Sequence, residues 1–324
     1  NMRIGFTYDL KDDYIKAGFT AEEAAEFDSI ITINAVDSAI TQMGHTVVRI
    51  GNAASLMERL LAGERWDLVF NIAEGVRGSG RESLVPALLD AYKIPYTFSD
   101  PLTHAITLNK AITKQILRDS KIPTADFMLV HSADSMPKPK FPYPCFVKPT
   151  SEGTGKGITP KSKVYDYGSL VNHARELIME FKQPVIVEPF LIGREVTVGI
   201  LGTGESARCA GVMEVSFTDK ADSDIHSYYN KEFCEIAAKY DIVDDDFAKL
   251  CAKYALEAHK ALNIKDACRV DMRADASGEP FIMEINTLPG LMPERSDLVL
   301  LCTKAGMKYD DIIENIINSA VLRL

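Results

Sequence analysis

Apolar and polar positions in the first hundred residues alternate between two kinds of run. Short apolar runs typical of strands lie at 2–8, 46–50, 68–72 and 95–98. Longer runs without internal glycine predict helices at 22–44, 55–62 and 81–92. Because strands alternate with helices, we expect a doubly wound parallel sheet that ends near Ser99-Asp100-Pro101.

The pattern becomes richer in strands after this point. A capped helix is predicted at 109–120, followed by strands at 127–130, 145–148, 157–160 and 184–191. The last third predicts strands at 195–201, 209–217, 269–273 and 281–286, with helices at 246–262 and 309–322. The chain therefore reads as a parallel α/β part followed by two α+β parts.

Length and charge narrow the class of protein. The 324 residues suffice for two or three compact modules. Proteins that bind nucleic acid or anionic membranes usually carry a basic surface, and the net charge of −10 argues against both ligands. A bound phosphate must then be held by local charges. No run approaches the roughly 20 apolar residues of a membrane span. We expect Met2 to be the native start, with no leader, and the six scattered cysteines to be reduced thiols of a cytoplasmic protein.

The segment 269–286 carries the clearest chemical pattern. It predicts two short strands joined by a two-residue turn at Ser277-Gly278. Asp271 would then face Glu284, and side-chain alternation would place four polar residues on one face, namely Arg269, Asp271, Glu284 and Asn286. The other face is predicted to be core and consists of Val270, Met272, Met283 and Ile285.

Two opposed carboxylates favour a cation between them. Asp271, Glu284 and Asn286 offer the oxygen ligands that Mg²⁺ prefers. The alternative is a solvated strand face with a salt bridge to Arg269. We favour the metal, because Asn286 leads directly into the loop Thr287-Leu288-Pro289-Gly290.

A glycine-rich loop at 148–157 is a candidate phosphate site. Three glycines allow backbone N–H groups to curl round an anion, and Lys148 and Lys156 add positive charge. It is not a Walker A loop, because Thr150 replaces the first glycine and Gly157 replaces the final Ser or Thr. A flexible hairpin turn is an equally weighted alternative.

Two carboxylates near position 190 suit a nucleoside. Glu188 is a candidate acceptor for an adenine amino group, and Glu195 for ribose hydroxyls; the alternative is a buried strand with two edge carboxylates. The GxGxxA pattern at 202–207 precedes another strand and is predicted to be a hairpin turn, because a dinucleotide loop requires a helix there.

These motifs together resemble the ATP-grasp superfamily and, within it, the D-alanine–D-alanine ligase family. Five family motifs occur in the family's order: Leu108-Asn109-Lys110, Val147-Lys148-Pro149 with Glu152-Gly153-Thr154-Gly155, the hinge 188–195, Arg269-Val270-Asp271, and the segment 284–290. The resemblance is strongest between Lys110 and Gly290.

The resemblance implies a fold and an activity. The fold is the ATP-grasp fold, of class α/β (α+β), with a Rossmann-like domain at 1–104 and two α+β subdomains at 105–190 and 191–324 that sandwich ATP. The activity is ATP-dependent ligation of a carboxylate to an amine through an acyl phosphate, which forms a dipeptide for peptidoglycan. It implies ATP as substrate, two Mg²⁺ ions with Mn²⁺ as an alternative, amino-acid substrates and a homodimer, without nucleic acid or membrane.

The resemblance also assigns roles to residues. ATP is expected to contact Lys110, Lys148, Glu152, Gly153, Thr154, Glu188, Phe190, Leu191, Glu195 and Lys231. The metal ligands are expected to be Asp271, Glu284 and Asn286. The catalytic set is expected to be Arg269 and Gly290 at the tetrahedral intermediate, Lys231 at the transferred phosphate, Glu26 at the first substrate's ammonium and Ser296 at the second substrate's carboxylate. Glu26 could equally be a solvated helix residue, and Ser296 a plain N-cap.

The N-terminal part departs from the family pattern. The family's His-Gly…Gly-Glu-Asp-Gly is replaced by the segment 71–82, where Arg77 and Arg81 suggest a different first carboxylate substrate. Three alternatives therefore stay open: a ligase of the same mechanism for other amino acids or a small acid, a phosphotransferase that releases an acyl phosphate, and an ATP-binding regulatory protein without ligation.

Overall fold

A computed structural model describes residues 1–217 and 238–324. The chain starts with a parallel sheet of order β2-β1-β3, in which Ile4 of β1 lies beside Val47 of β2 and Leu68 of β3. The predicted strand at 95–98 is reduced to one parallel bridge between Val69 and Tyr96. The elements of this part are β1 Arg3–Thr7, α1 Lys11–Lys16, α2 Ile30–Gln42, β2 Thr46–Gly51, α3 Ala53–Leu61, β3 Leu68–Asn71, α4 Leu84–Ala91 and α5 Pro101–Leu108.

The helix predicted at 22–44 begins only at Ile30. Upstream of it, the Asp28 N–H donates to the carbonyl of Asp9, and the Lys11 N–H donates to the carbonyl of Asp28. These two hydrogen bonds form an isolated parallel bridge between Leu10 and Asp28, and the residues before Asp28 form turns, so a continuous helix cannot run through this segment. Glu26 and Asp28 consequently lie on a loop beyond the carboxyl end of β1.

The second sheet is antiparallel, with order β4-β7-β5-β6. Its elements are α6 Lys110–Asp119, β4 Met128–Val130, β5 Cys145–Pro149, β6 Lys163–Val164, α7 Tyr167–Phe181 and β7 Val185–Pro189. The strand predicted at 157–160 is wrong, because Gly157 has a φ of +72° and a 3₁₀ turn follows at Pro160–Ser162. Sequence reasoning missed α7, although Asp166 caps it by accepting a hydrogen bond from the Ser169 N–H.

The third sheet is antiparallel, with order β10-β9-β8-β11-β12. Its elements are β8 Glu195–Leu201, β9 Arg208–Phe217, β10 Ala238–Ile242, α8 Asp246–Ala261, β11 Ala267–Ala274, β12 Pro280–Asn286, α9 Asp297–Lys304 and α10 Tyr309–Val321. Helix α8 packs on one face, in a core that includes Val198, Cys251 and Val270. Leu301 of α9 packs on the other face, against Gly199, where a Cβ would collide with it, and against Gly211.

The last helix returns to the first sheet. Ile313 and Ile316 of α10 share a core with Ile4 and Ile33. Each sheet lies within one of the three segments 1–104, 105–190 and 191–324, and we keep these boundaries as a proposal. Among the described helices, none is long and apolar enough to cross a membrane.

Candidate active site

The β11–β12 hairpin has the predicted pairing at the end that carries the four polar side chains. Arg269 lies opposite Asn286, and Asp271 lies opposite Glu284. The register then shifts, so that Met272 pairs with Ile282 instead of Met283. Ile282 enters the core and is 1% exposed, whereas Met283 lines a small cavity, so the prediction of a core Met283 is wrong.

The turn explains this shift. The Asp275 N–H donates to the carbonyl of Glu279, which encloses three residues, Ala276 to Gly278, instead of the predicted two. The additional residue in the turn is matched by a bulge on β12. The bulge lies beyond Glu284, and the face that carries the four polar side chains is therefore undisturbed.

Arg269 is buried between two carboxylates. Its Nε and Nη2 donate to Oδ1 and Oδ2 of Asp271, both at 3.1 Å, and its Nη1 lies 3.1 Å from Oδ2 of Asp297. Burial disfavours the charge, but the nearby carboxylates outweigh burial and raise the pKa of Arg269. A permanent cation is thus fixed beside the proposed metal ligands.

The three proposed metal ligands present suitable donors. Glu284 Oε2 lies 3.7 Å from the ammonium of Lys110, and Asn286 Oδ1 accepts a hydrogen bond from the Leu288 N–H at 3.0 Å. Within the described residues, no group of three His, Cys, Asp or Glu side chains is arranged for a metal. Two carboxylates and one amide nevertheless fit Mg²⁺, which usually completes its shell with waters and substrate phosphates.

The glycine-rich loop closes over this face. Positive φ values at Thr154, Gly155 and Gly157 curl its backbone. Lys110 Nζ donates to the carbonyl of Glu152 at 2.6 Å, which holds the loop next to the hairpin. An anion bound by the curled loop would contact backbone N–H groups and lie near the positive charge of the lysines.

Glu188 is fully buried between two lysines. Its Oε1 lies 3.5 Å from both Lys114 Nζ and Lys148 Nζ. Burial alone would raise the pKa of Glu188, but the lysines outweigh burial and lower it. The structure thus places this carboxylate behind Lys148 rather than in a cavity wall, and the adenine role of Glu188 stays a prediction.

Lys114 was not singled out from the sequence. It lies four residues after Lys110 on α6, so both side chains lie on the same face of the helix. That spacing was the available signal, and burial of Lys114 could not be deduced from it.

The predicted residues surround two adjoining cavities. The smaller has a volume of about 100 Å³, and its lining includes Lys148, Phe190, Leu191, Glu195, Asp271 and Glu284. The larger, of about 390 Å³, is lined in part by Glu26, Lys110, Glu152, Gly153, Thr154, Arg269, Glu284, Asn286, Gly290 and Ser296. Glu284 lines both cavities. Lys231 lies outside the described residues.

Ser296 precedes α9 but does not cap it with its side chain. Its Oγ accepts a hydrogen bond from the Met292 N–H at 2.9 Å and lies where a Cβ on Gly290 would collide. Glycine at position 290 therefore allows the two to approach closely at the cavity wall.

The two arginines of the N-terminal loop have different surroundings. Arg77 is exposed and does not line the larger cavity. The side chain of Arg81 is buried, and its Nη2 lies 3.3 Å from Glu26 Oε2 and donates to the carbonyl of Ser151 at 2.9 Å. Neither guanidinium lines the cavity, so the structure does not place them at a first carboxylate substrate.

The fold and this site define an ATP-grasp enzyme of the carboxylate–amine ligase class. The family model described as "D-ala D-ala ligase C-terminus" matches residues 116–318. The D-alanine–D-alanine ligase of Erythrobacter litoralis is 31% identical over 297 residues, which cover 90% of this chain and 88% of the relative. The chain belongs to the D-alanine–D-alanine ligase family.

Other similar proteins extend this result. An uncharacterized protein, y4sG of Sinorhizobium fredii, is 31% identical over 257 residues, covering 78% of this chain and 74% of the relative. The structure of the D-alanine–D-alanine ligase of Bacillus anthracis complexed with ATP matches with a TM-score of 0.77 at 23% identity, over 100% of this chain and 98% of that one. The VanG D-Ala:D-Ser ligase of Enterococcus faecalis matches with a TM-score of 0.74 at 20% identity, over 99% of both chains. The two structures support the fold.

Proposed function

We propose that the protein activates the carboxylate of one amino acid with ATP and joins it to the amine of a second. The observation that carries this proposal is the larger cavity. Arg269, the carboxylate of Glu284 and the glycine-rich loop all line it. Several relatives are named D-alanine–D-alanine ligase. The first candidate role is therefore synthesis of a cell-wall dipeptide in the cytoplasm by a homodimer.

One group of residues acts on the phosphates of ATP, and a second group acts on the carbonyl group that the amine attacks. Lys110 and the curled loop bind the anionic phosphates, and Lys148, held by Glu188, adds charge beside them. Arg269 and the Gly290 N–H stabilise the oxyanion that forms when the amine attacks, and each such donor contributes roughly 3–4 kcal/mol. Two Mg²⁺ ions, or Mn²⁺, bound by Asp271, Glu284 and Asn286, would neutralise charge on the phosphate oxygens.

Asp271→Asn tests the metal assignment. The variant keeps an oxygen acceptor for Thr197, whose Oγ1 donates to Asp271 Oδ1 at 3.0 Å, but it removes the charge that favours Mg²⁺. We expect amino-acid-dependent phosphate release from Mg-ATP to fall by at least about 100-fold, equivalent to roughly 3 kcal/mol. The matched control is Asp275→Asn, in the exposed turn of the same hairpin, which should retain activity.

Two results would contradict this proposal. Wild-type turnover in Asp271→Asn would remove the metal role of that carboxylate. ATP binding by the wild-type protein without phosphate release for any amino acid would instead indicate a nucleotide-binding protein that does not ligate.

A further inference from the structure

Three buried charged side chains meet beside the smaller cavity. Lys114 of α6 is 1% exposed, Glu188 of β7 is fully buried, and Lys148 of β5 is also buried. We call these three residues the buried triad. Because one helix and two strands supply its members, the triad is fixed by the packing of the second module.

One carboxylate oxygen of the triad faces both lysines. Glu188 Oε1 lies 3.5 Å from Lys114 Nζ and 3.5 Å from Lys148 Nζ. Burial lowers the pKa of Lys114, and the Glu188 carboxylate opposes this shift. Two ammonium groups and one carboxylate leave the triad with a net charge of +1. One positive charge is therefore in excess of what Glu188 needs.

The two lysines differ in their access to a ligand. Lys148 lines the smaller cavity together with Gly155 of the glycine-rich loop. Lys114 lines neither of the two cavities, and its ammonium lies 5.7 Å from the ring centroid of Phe127. A ligand in the cavities can thus contact Lys148, whereas the charge of Lys114 acts on Glu188.

An anion at the glycine-rich loop changes the balance of charge in the triad. It attracts the Lys148 ammonium, which must then leave Glu188 or divide its hydrogen bonds between the two. Removing one partner of a buried ion pair is strongly unfavourable, because the other charge stays buried without compensation. Lys114 remains beside Glu188 in either case, so the carboxylate keeps a counter-charge when Lys148 turns to the anion.

We propose that Lys114 is a positioning residue for ATP binding, which keeps the buried carboxylate of Glu188 compensated and so releases Lys148 to bind a phosphate of ATP. The inference rests on the proposed function, in which Lys148 adds charge beside the phosphates. It assigns to Lys114 an effect on the affinity for ATP without contact with ATP.

Isothermal titration calorimetry with Mg-ATP tests this role, because it requires no amino-acid substrate. In Lys114→Met, Lys148 is the one remaining lysine of the triad, and ATP must compete with Glu188 for it. We expect the Kd for ATP to rise by about 30-fold or more, equivalent to roughly 2 kcal/mol. The ATP-free variant should still fold, since Lys148 then compensates Glu188, and circular dichroism checks this.

A second substitution separates this role from packing. Lys114→Met combined with Glu188→Gln removes the negative charge that competes for Lys148, so the Kd should return to within about threefold of wild type. Glutamine keeps an acceptor oxygen, and the predicted adenine contact of residue 188 is therefore not lost. A packing defect caused by the loss of Lys114 would persist in the double variant.

Lys140→Met is the matched control for the loss of one positive charge. Lys140 is an exposed lysine of the same module, and its replacement should leave the Kd for ATP within about twofold of wild type. Lys114→Gln provides a second neutral variant and should also weaken ATP binding, by at least about tenfold. The test can therefore be completed with this variant if Lys114→Met does not fold.

The outcomes separate the inference from the proposed function. A Kd that stays within about threefold of wild type in the neutral variants at position 114 would overturn the role of Lys114 while the ligase function stands. The same conclusion follows if the double variant binds ATP as weakly as Lys114→Met. Failure of the wild-type protein to bind Mg-ATP would instead overturn the proposed function itself.

Discussion

The position of the Arg269 guanidinium is fixed by its immediate neighbours in the site. Its guanidinium contacts Asp271 on one side and Asp297 on the other, so its position is set by two carboxylates on different elements. An arginine held in this way needs little rearrangement when negative charge develops near it. The pairing across the hairpin brings this cation beside the proposed metal ligands.

At the residue scale, strand alternation made the polar face of the β11–β12 hairpin predictable. A side-chain period of two places Arg269 and Asp271 on one face whatever the rest of the fold does, and the observed pairing with Asn286 and Glu284 agrees. Met283 was placed in the core incorrectly, because its position depends on a turn that is one residue longer than expected. Glu74 and Glu82 also line the larger cavity but were not singled out from the sequence, because burial at a cavity wall depends on tertiary packing.

Asp28, which lines the larger cavity, offers a residue-scale test of the electrostatics of the site. Its pKa is raised to about 8 by burial and by repulsion from Asp9, whereas the unfolded chain titrates near 4. Folding must therefore retain or take up a proton, and this costs progressively more stability as the pH rises from about 4 to 8. Asp28→Asn removes that cost.

We expect Asp28→Asn to raise the melting temperature by a few °C at pH 8 and by clearly less at pH 5, since roughly 1 kcal/mol corresponds to about 2–4 °C in a chain of this size class. Differential scanning calorimetry at both values measures the difference. An equal gain at both values, or a loss at pH 8, would show that Asp28 is not destabilised by its surroundings.

At the element scale, helices with regular patterns were easier to predict than the points where they begin. Helix α8 was predicted at 246–262 and is observed at Asp246–Ala261, because its pattern and its cap at Asp245 are local. Helix α2 begins eight residues later than predicted (30 − 22 = 8). The cause is backbone pairing between Asp9 and Asp28, which no local pattern contains.

Helix α8 is linked to the third sheet by a buried histidine. His259 Nε2 lies 3.0 Å from the carbonyl of Gly202, and its Nδ1 lies 3.2 Å from Sγ of Cys268. Burial lowers the pKa of His259 to about 4. The unfolded chain protonates His259 below about pH 6.5, whereas the folded protein keeps it neutral until the pH nears 4. The free energy of unfolding therefore decreases as the pH falls from about 6.5 towards 4.

His259→Gln tests this link, because glutamine can still donate to the Gly202 carbonyl but does not titrate. We expect urea denaturation to show a smaller loss of stability between pH 7 and pH 5 in the variant than in wild type, by about 1–2 kcal/mol. His104, whose pKa burial also lowers, remains in both proteins and contributes equally. Parallel losses in the two proteins would mean that His259 does not titrate on unfolding.

At the scale of the whole molecule, Asp266 joins parts that are distant in sequence. Its carboxylate accepts hydrogen bonds from the Phe98 N–H, the Ser319 hydroxyl and the Arg323 guanidinium. These groups belong to the first module, to α10 and to the C-terminal end. The carboxylate is fully buried, so it holds the terminal helix on the parallel sheet.

Asp266→Asn should destabilise the whole protein, because it leaves Arg323 without its buried counter-charge. Asparagine tolerates the left-handed backbone at position 266, so the backbone conformation is kept. Removing one partner of a buried ion pair costs about 3–5 kcal/mol, and we expect a loss near the lower value, since Arg323 is partly exposed. Chemical denaturation measures it. Asp246→Asn, at an exposed carboxylate, is the control, and an equally small effect in both would contradict the role of Asp266.

Oxygen transfer tests the central claim, activation of a carboxylate by ATP, most directly. An amino-acid substrate with ¹⁸O in its carboxylate is incubated with Mg-ATP and the protein, and the released phosphate and the dipeptide are analysed by mass spectrometry. Attack of the carboxylate on the γ-phosphate, followed by displacement by an amine, leaves one labelled oxygen in each phosphate, and we predict one such oxygen for each dipeptide formed. Unlabelled phosphate would show that water, and not the carboxylate, attacks ATP, and would contradict the ligase mechanism.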